Sequence, residues 1–158
     1  MKVLFLDIDG VLNSRAYDRE RDWKADTNID VTRLPLVKEI VDRTGAKIVL
    51  TSTWRTDWNR DPAKCKAGGR YIHRTFAEYG LEIFDKTPDF GVLAVRRDEV
   101  AAWLQTAVEP IEGFVIIDDD GFGWGDLSSH FIKTDPRNRL GLEQDHVERA
   151  IEILQAGD

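Results

Sequence analysis

The sequence predicts an α/β fold in three layers, with helices on both faces of a mainly parallel, five-stranded sheet. Two observations predict it. Short continuous apolar runs alternate with segments whose apolar residues recur at helical spacing. Three of those runs also end abruptly in acidic or hydroxyl side chains.

Val3-Leu4-Phe5-Leu6 is the first run and reads as a strand buried on both faces. Residues 32–44 read as a helix, with Leu34, Val37 and Val41 on one side and Gly45 as its stop. Residues 47–51 form a second strand. Residues 70–79 read as a helix that places Ile72, Phe76 and Tyr79 together before Gly80. Residues 81–84 are a candidate third strand. Residues 96–108 show the clearest helical period, with Val100, Trp103, Leu104 and Ala107 at i, i+3, i+4 and i+7. Residues 114–117 are a fourth buried strand and 131–132 a short fifth. A last helix over 143–155 gathers Val147, Ala150, Ile151 and Leu154. This alternation is Rossmann-like, and ligands of such sheets collect at the carboxyl ends of the strands. Two polar stretches, 13–31 and 56–69, fit no element and read as functional loops.

The 158 residues suit one domain, expected to span residues 1–158. No apolar run is long enough to cross a membrane. The N-terminal apolar run meets acid too early for a signal peptide. Cys65 is the one cysteine, with no Cys/His cluster for zinc around it. These features lead us to expect a cytoplasmic protein. The net charge of −7 does not advertise a nucleic-acid binder.

Chemistry concentrates where the first, second and fourth runs end: Asp7-Ile8-Asp9-Gly10, Thr51-Ser52-Thr53-Trp54-Arg55 and Asp118-Asp119-Asp120. In a parallel sheet these ends share one edge, so at least three carboxylates converge. Clustered like charges call for a cation, and oxygen-only ligands favour a hard one such as magnesium. Asp7 and Asp9 face one side of an extended chain, so one can attack while the other moves protons. Gly10 allows a sharp turn and close approach to a phosphate. Ser52 offers a hydroxyl, and Arg96 and Arg97 offer cations for developing charge. Each feature also has a structural reading: an acidic turn for either Asp cluster, a helix cap for Ser52, solvated helix residues for the arginines. Trp54 and Trp58 flank Arg55, so that the rings can stack a nucleobase and Arg55 meet a phosphate; Trp54 can equally pack on the sheet. Trp124 is a second candidate platform. Trp103 reads as core, and the three histidines as surface or satisfied residues. The charged run Asp18–Lys24 reads as a solvated loop that can also cover the site.

The segments MKVLFLDIDGVLN, IVLTSTWR, RRDEVAAWL and FVIIDDD resemble the four ordered motifs of the haloacid dehalogenase-like (HAD) phosphohydrolases. The TSTWR version, with the closing GLEQDHVERAIEIL, resembles the phosphatase domains of RNA-repair and polynucleotide end-healing proteins. The resemblance implies that Asp7 attacks phosphorus and that Asp9 acts as acid and then base. It implies Mg2+ on Asp7, the Asp9 carbonyl, Asp118 and Asp119, and Ser52 on the phosphoryl group. Arg96 matches the position of the third-motif cation, usually a lysine, with Lys86 as a fallback. Gly10, Thr53, Trp54 and Arg55 are the candidate substrate contacts. Neither inter-motif gap has room for a separate cap domain, which suits a phosphate on a large molecule such as a DNA or RNA 3′-end. Free nucleotides or small phosphometabolites are the alternative substrates, and a non-catalytic phosphate-binding module the alternative of another class.

Overall fold

Alternation along the first strand sets the layering. The structure, a computed structural model, describes residues 1–20 and 29–157. Strand β1 (Lys2–Leu6) lies at the centre of a five-stranded sheet. Around it run β2 (Lys47–Leu50), β3 (Ile83–Lys86), β4 (Gly113–Asp118) and β5 (Phe131–Lys133), in the order β3-β2-β1-β4-β5. Every pairing is parallel, so the sheet is wholly parallel, not just mainly so.

Because side chains alternate across a strand, Leu4 and Leu6 enter one apolar cluster and Val3 and Phe5 another. The first cluster takes in α2 (Leu34–Thr44), α3 (Ala67–Glu78) and α5 (Gln144–Ala156). The second takes in α4 (Arg96–Thr106), whose Trp103 meets Phe5 edge-on at 5.4 Å between centroids. These are the three expected layers.

The expected elements differ from the observed ones mainly at their ends. The helix expected over 70–79 begins at Ala67 and contains Gly68 and Gly69. Glycine is a poor helix former, but here packing requires it: a Cβ on Gly69 would fall 2.0 Å from the Asp57 carbonyl oxygen. The third strand begins at Ile83, two residues later than expected. In α2, Ile40 joins Leu34 and Val37 in the core while Val41 is only half-buried. The loop 13–31 holds a short helix, α1 (Arg15–Glu20), and a 3-10 turn at Val31–Arg33. The part of the charged run Asp18–Lys24 from Arg21 onward lies outside the described residues. Among the described residues no separate folded unit interrupts the alternation, and no helix is long and apolar enough to cross a membrane.

The chain leaves β1 toward β2 on one side, while β4 pairs with the other edge of β1. That reversal opens a crevice at the carboxyl ends of β1 and β4, which are followed or closed by Asp7 and Asp118.

Phe5 is fully buried between Trp103 and Phe114. Phe5→Ala is expected to cost about 3–5 kcal/mol. In urea unfolding the midpoint should fall with the slope unchanged.

Candidate active site

The parallel register fixes which groups meet. Leu6 pairs with Leu50 and with Ile117, so the next residues, Asp7, Thr51 and Asp118, stand side by side at the sheet edge. The Asp7 amide donates to the Ile117 carbonyl at 3.1 Å, which holds the chain extended through Asp7. Asp7 and Asp118 are buried and Asp119 is half-buried. One carboxylate oxygen from each of the three lies within 4.8 Å of the others.

Among the described residues, one cation reaches into this cluster. Arg96, at the start of α4, places Nη1 2.6 Å from Asp118 Oδ2 and 3.1 Å from Asp7 Oδ1. Its charge does not balance the cluster. Burial, and then the Asp118 carboxylate, push Asp7 up to about 8, against the opposing pull of Arg96. Burial and Asp118 also raise Asp119. Burial disfavours the charge on Arg96, but Asp7 and Asp118 outweigh it and hold its pKa above the ordinary value. Three carboxylates against one guanidinium form an all-oxygen, electron-rich donor set, and this fits a hard divalent cation. The carboxylate of Asp9 is not part of the set.

Asp9 is exposed at the mouth, with each oxygen held. Asn13 Nδ2 donates to Oδ1 and Trp54 Nε1 to Oδ2, both at 3.1 Å. Asn13 also accepts from the Gly10 amide at 2.7 Å. Gly10 has a φ of 83°, and a Cβ there would fall 2.5 Å from the Asp119 carboxylate. Its N–H is occupied by Asn13 and its carbonyl by the Thr134 hydroxyl. The expectation that Gly10 brings backbone to a phosphate is therefore corrected. Gly10 instead makes room for Asp119.

After β2 the hydroxyls divide. Ser52 is fully buried, and its Oγ accepts from the Trp54 amide at 3.3 Å, capping a 3-10 turn over Thr53–Thr56. Thr53 is the exposed hydroxyl on the cavity wall. Thr51, beside Asp7, is buried with no hydrogen-bond partner for Oγ1. A buried hydroxyl without a partner is costly, and one beside Asp7 suits an oxygen of a bound group. The signal for Thr51 was present in the apolar run it terminates, but the choice among three successive hydroxyls needed the register.

Arg55 does not reach the cavity. It is 5% exposed, donates to Glu99 Oε2 at 2.8 Å and to the Thr51 carbonyl at 2.6 Å, and ties the β2 turn to α4. Lys86 donates to the carbonyls of Arg55 and Trp58, so the fallback cation is committed to backbone. Arg97 pairs with Asp126 and Asp98. Trp58 and Trp124 are buried and offer no face to a base. Trp54 is half-buried against Tyr71 and held by Asp9, so it serves the site as an anchor. Cys65 is buried in its loop. His73 stacks on Trp58, His130 stacks on Phe114, and His146 completes the cap of α5.

An open cavity of about 1340 Å³ rises from this floor, lined by Asp7, Asp9, Thr53, Arg96, Asp118 and Asp119 among others. It brings together residues of all four motif segments: Asp7 and Asp9, Thr53, Arg96, and Asp118 and Asp119. A family model, the HAD domain in Swiss Army Knife RNA repair proteins, matches residues 3–147. The chain belongs to this family. No curated protein and no solved structure matches it. A HAD domain of this RNA-repair family is a phosphatase-type hydrolase, and HAD enzymes generally use Mg2+.

Two expectations follow. Asp7 titrates near 3.8 in the unfolded chain and at about 8 in the metal-free fold. The unfolded state releases this proton first, so the contribution of Asp7 to stability is full below about pH 4 and is lost as pH rises through about 8. Urea unfolding across that range should show the decline, and Asp7→Asn should flatten it. Glu99→Ala leaves the buried Arg55 guanidinium with only the half-exposed Asp89 carboxylate, 3.6 Å away, and should cost about 3 kcal/mol. Arg55→Met/Glu99→Leu should recover most of the loss in the same unfolding measurement.

Proposed function

We propose that the protein is a magnesium-dependent phosphomonoesterase that works through an aspartyl-phosphate on Asp7 and acts on 3′-phosphate ends of DNA or RNA. The observation that carries this reading is the buried Asp7 carboxylate held between Arg96 and the Asp118–Asp119 pair.

An Asp7 carboxylate oxygen attacks phosphorus, and the ester bond to the leaving oxygen breaks. Asp9, oriented by Asn13 and Trp54, gives its proton to that oxygen. In the second half, Asp9 takes a proton from water, which hydrolyses the aspartyl-phosphate and returns Asp7. Thr51 and Thr53 are the hydroxyls best suited to phosphoryl oxygens, in place of Ser52. Arg96 keeps a positive charge beside the transferring group. Asp7, Asp118, Asp119 and the Asp9 carbonyl would hold Mg2+, which offsets the charge of the phosphoryl group when bound.

The open cavity and the RNA-repair family support a phosphate carried on a large molecule. The net charge of −7 favours the second reading, a free nucleotide or small phosphometabolite. A pure phosphate-binding module has no use for the Asp7/Asp9 pair.

Hydrolysis of an aryl phosphate should require Mg2+, stop with chelator, and fall roughly 10³-fold or more in Asp7→Asn. Asp9→Asn should lower kcat by about 10²–10⁴-fold. Undiminished turnover in Asp7→Asn would refute the nucleophile. A 3′-phosphorylated oligonucleotide should be preferred over mononucleotides, and hydrolysis of the mononucleotides alone would favour the second reading.

A further inference from the structure

The chemistry described uses Asp7, Asp9, Thr53, Arg96, Asp118 and Asp119 of the cavity lining. Higher on its wall, Val92 and Leu93 are almost fully exposed, and Phe122 is 82% exposed. A soluble surface rarely gathers large apolar side chains around a polar cleft unless something binds there. Phe122 is held out by a built loop. The amide of Asp120 donates to Asp118 and that of Phe122 to Asp120. Trp124 is buried on Phe131, its Nε1 donating to the Asp120 carbonyl at 2.8 Å. Gly123, with a φ of 83°, sits so close to Val95 that a Cβ would fall 3.0 Å from its Cγ1. The aromatic ring is thus presented from a braced loop that starts at the catalytic strand.

Lys133 and Arg137 line the same cavity. Both are exposed, and neither has a carboxylate within 4.0 Å among the described residues. Lys133 closes β5, paired in register with Asp118, and its stem lies against Gly121, so the cation borders the Phe122 loop. Two exposed cations without a close ion pair, Lys133 acting on Asp135 only from beyond 4.0 Å, border an exposed aromatic ring in a chain of net charge −7, and together they match an anionic ligand that carries a planar ring.

We propose that Phe122, Lys133 and Arg137 form a subsite for the terminal nucleotide of a polynucleotide end. Phe122 stacks its base, while Lys133 and Arg137 bind the phosphodiester on the 5′ side of its sugar. The subsite rests on the reading of the substrate as a 3′-phosphorylated end, and within it Lys133 and Arg137 are the groups that separate such an end from a mononucleotide.

The test is the ratio of kcat/KM for a 3′-phosphorylated dinucleotide to that for a nucleoside 3′-monophosphate. The wild type should give a ratio of about ten or more, falling with added salt. Lys133→Gln/Arg137→Gln should bring it toward one. Phe122→Ala should reduce, and Phe122→Trp retain, the preference for a base-bearing end over an abasic one. A high wild-type ratio left intact by the charge variant, or a base preference left intact by Phe122→Ala, overturns the subsite alone. A wild-type ratio near one overturns the polynucleotide reading and the subsite with it.

Discussion

Carboxylates packed together out of water repel one another, and each loses hydration as well. At the end of β1 and β4 the chain accepts both costs: Asp7 and Asp118 are buried in adjacent strands, with Asp119 beside them. The register that makes the sheet parallel makes their meeting unavoidable. The Arg96 guanidinium in contact leaves Asp7 still shifted far upward. A cluster so arranged is stable as a receptor for positive charge.

The surroundings are organised to keep that cluster in place. Arg96 can span Asp7 and Asp118 because α4 is fixed at its first turn, where Glu99 is locked to Arg55 of the β2 turn. Gly10 leaves space for Asp119, while Asn13 and Trp54 hold Asp9 at the mouth. The floor is thus rigid and charged, and the rim above it is apolar and basic. This division suits chemistry on a phosphate and recognition of what carries it.

Much of this was legible in the sequence. Continuous apolar runs and intervening helical periods identify the sheet and its layers, and the acidic ends of the first and fourth runs point to the edge where Asp7, Asp118 and Asp119 meet. The individual side chains around them were harder, because burial and partner are tertiary facts. Arg55 looked like a phosphate ligand until Glu99, distant in sequence, took it. Ser52 looked like the phosphoryl hydroxyl, but local capping turned it inward and left Thr51 and Thr53. Trp58 and Trp124 read as stacking platforms by position, while the core claimed both. Phe122, an isolated aromatic residue among glycines, carries no periodic signal in the sequence.

The convergence of Asp7 with Asp118 on a cation is tested most directly by anomalous scattering from crystals soaked in Mn2+, a stand-in for Mg2+. One strong peak in contact with carboxylate oxygens of both residues is the expected result. A peak elsewhere with none between them, or the two carboxylates turned away from each other in a Mn2+-loaded crystal, would contradict it.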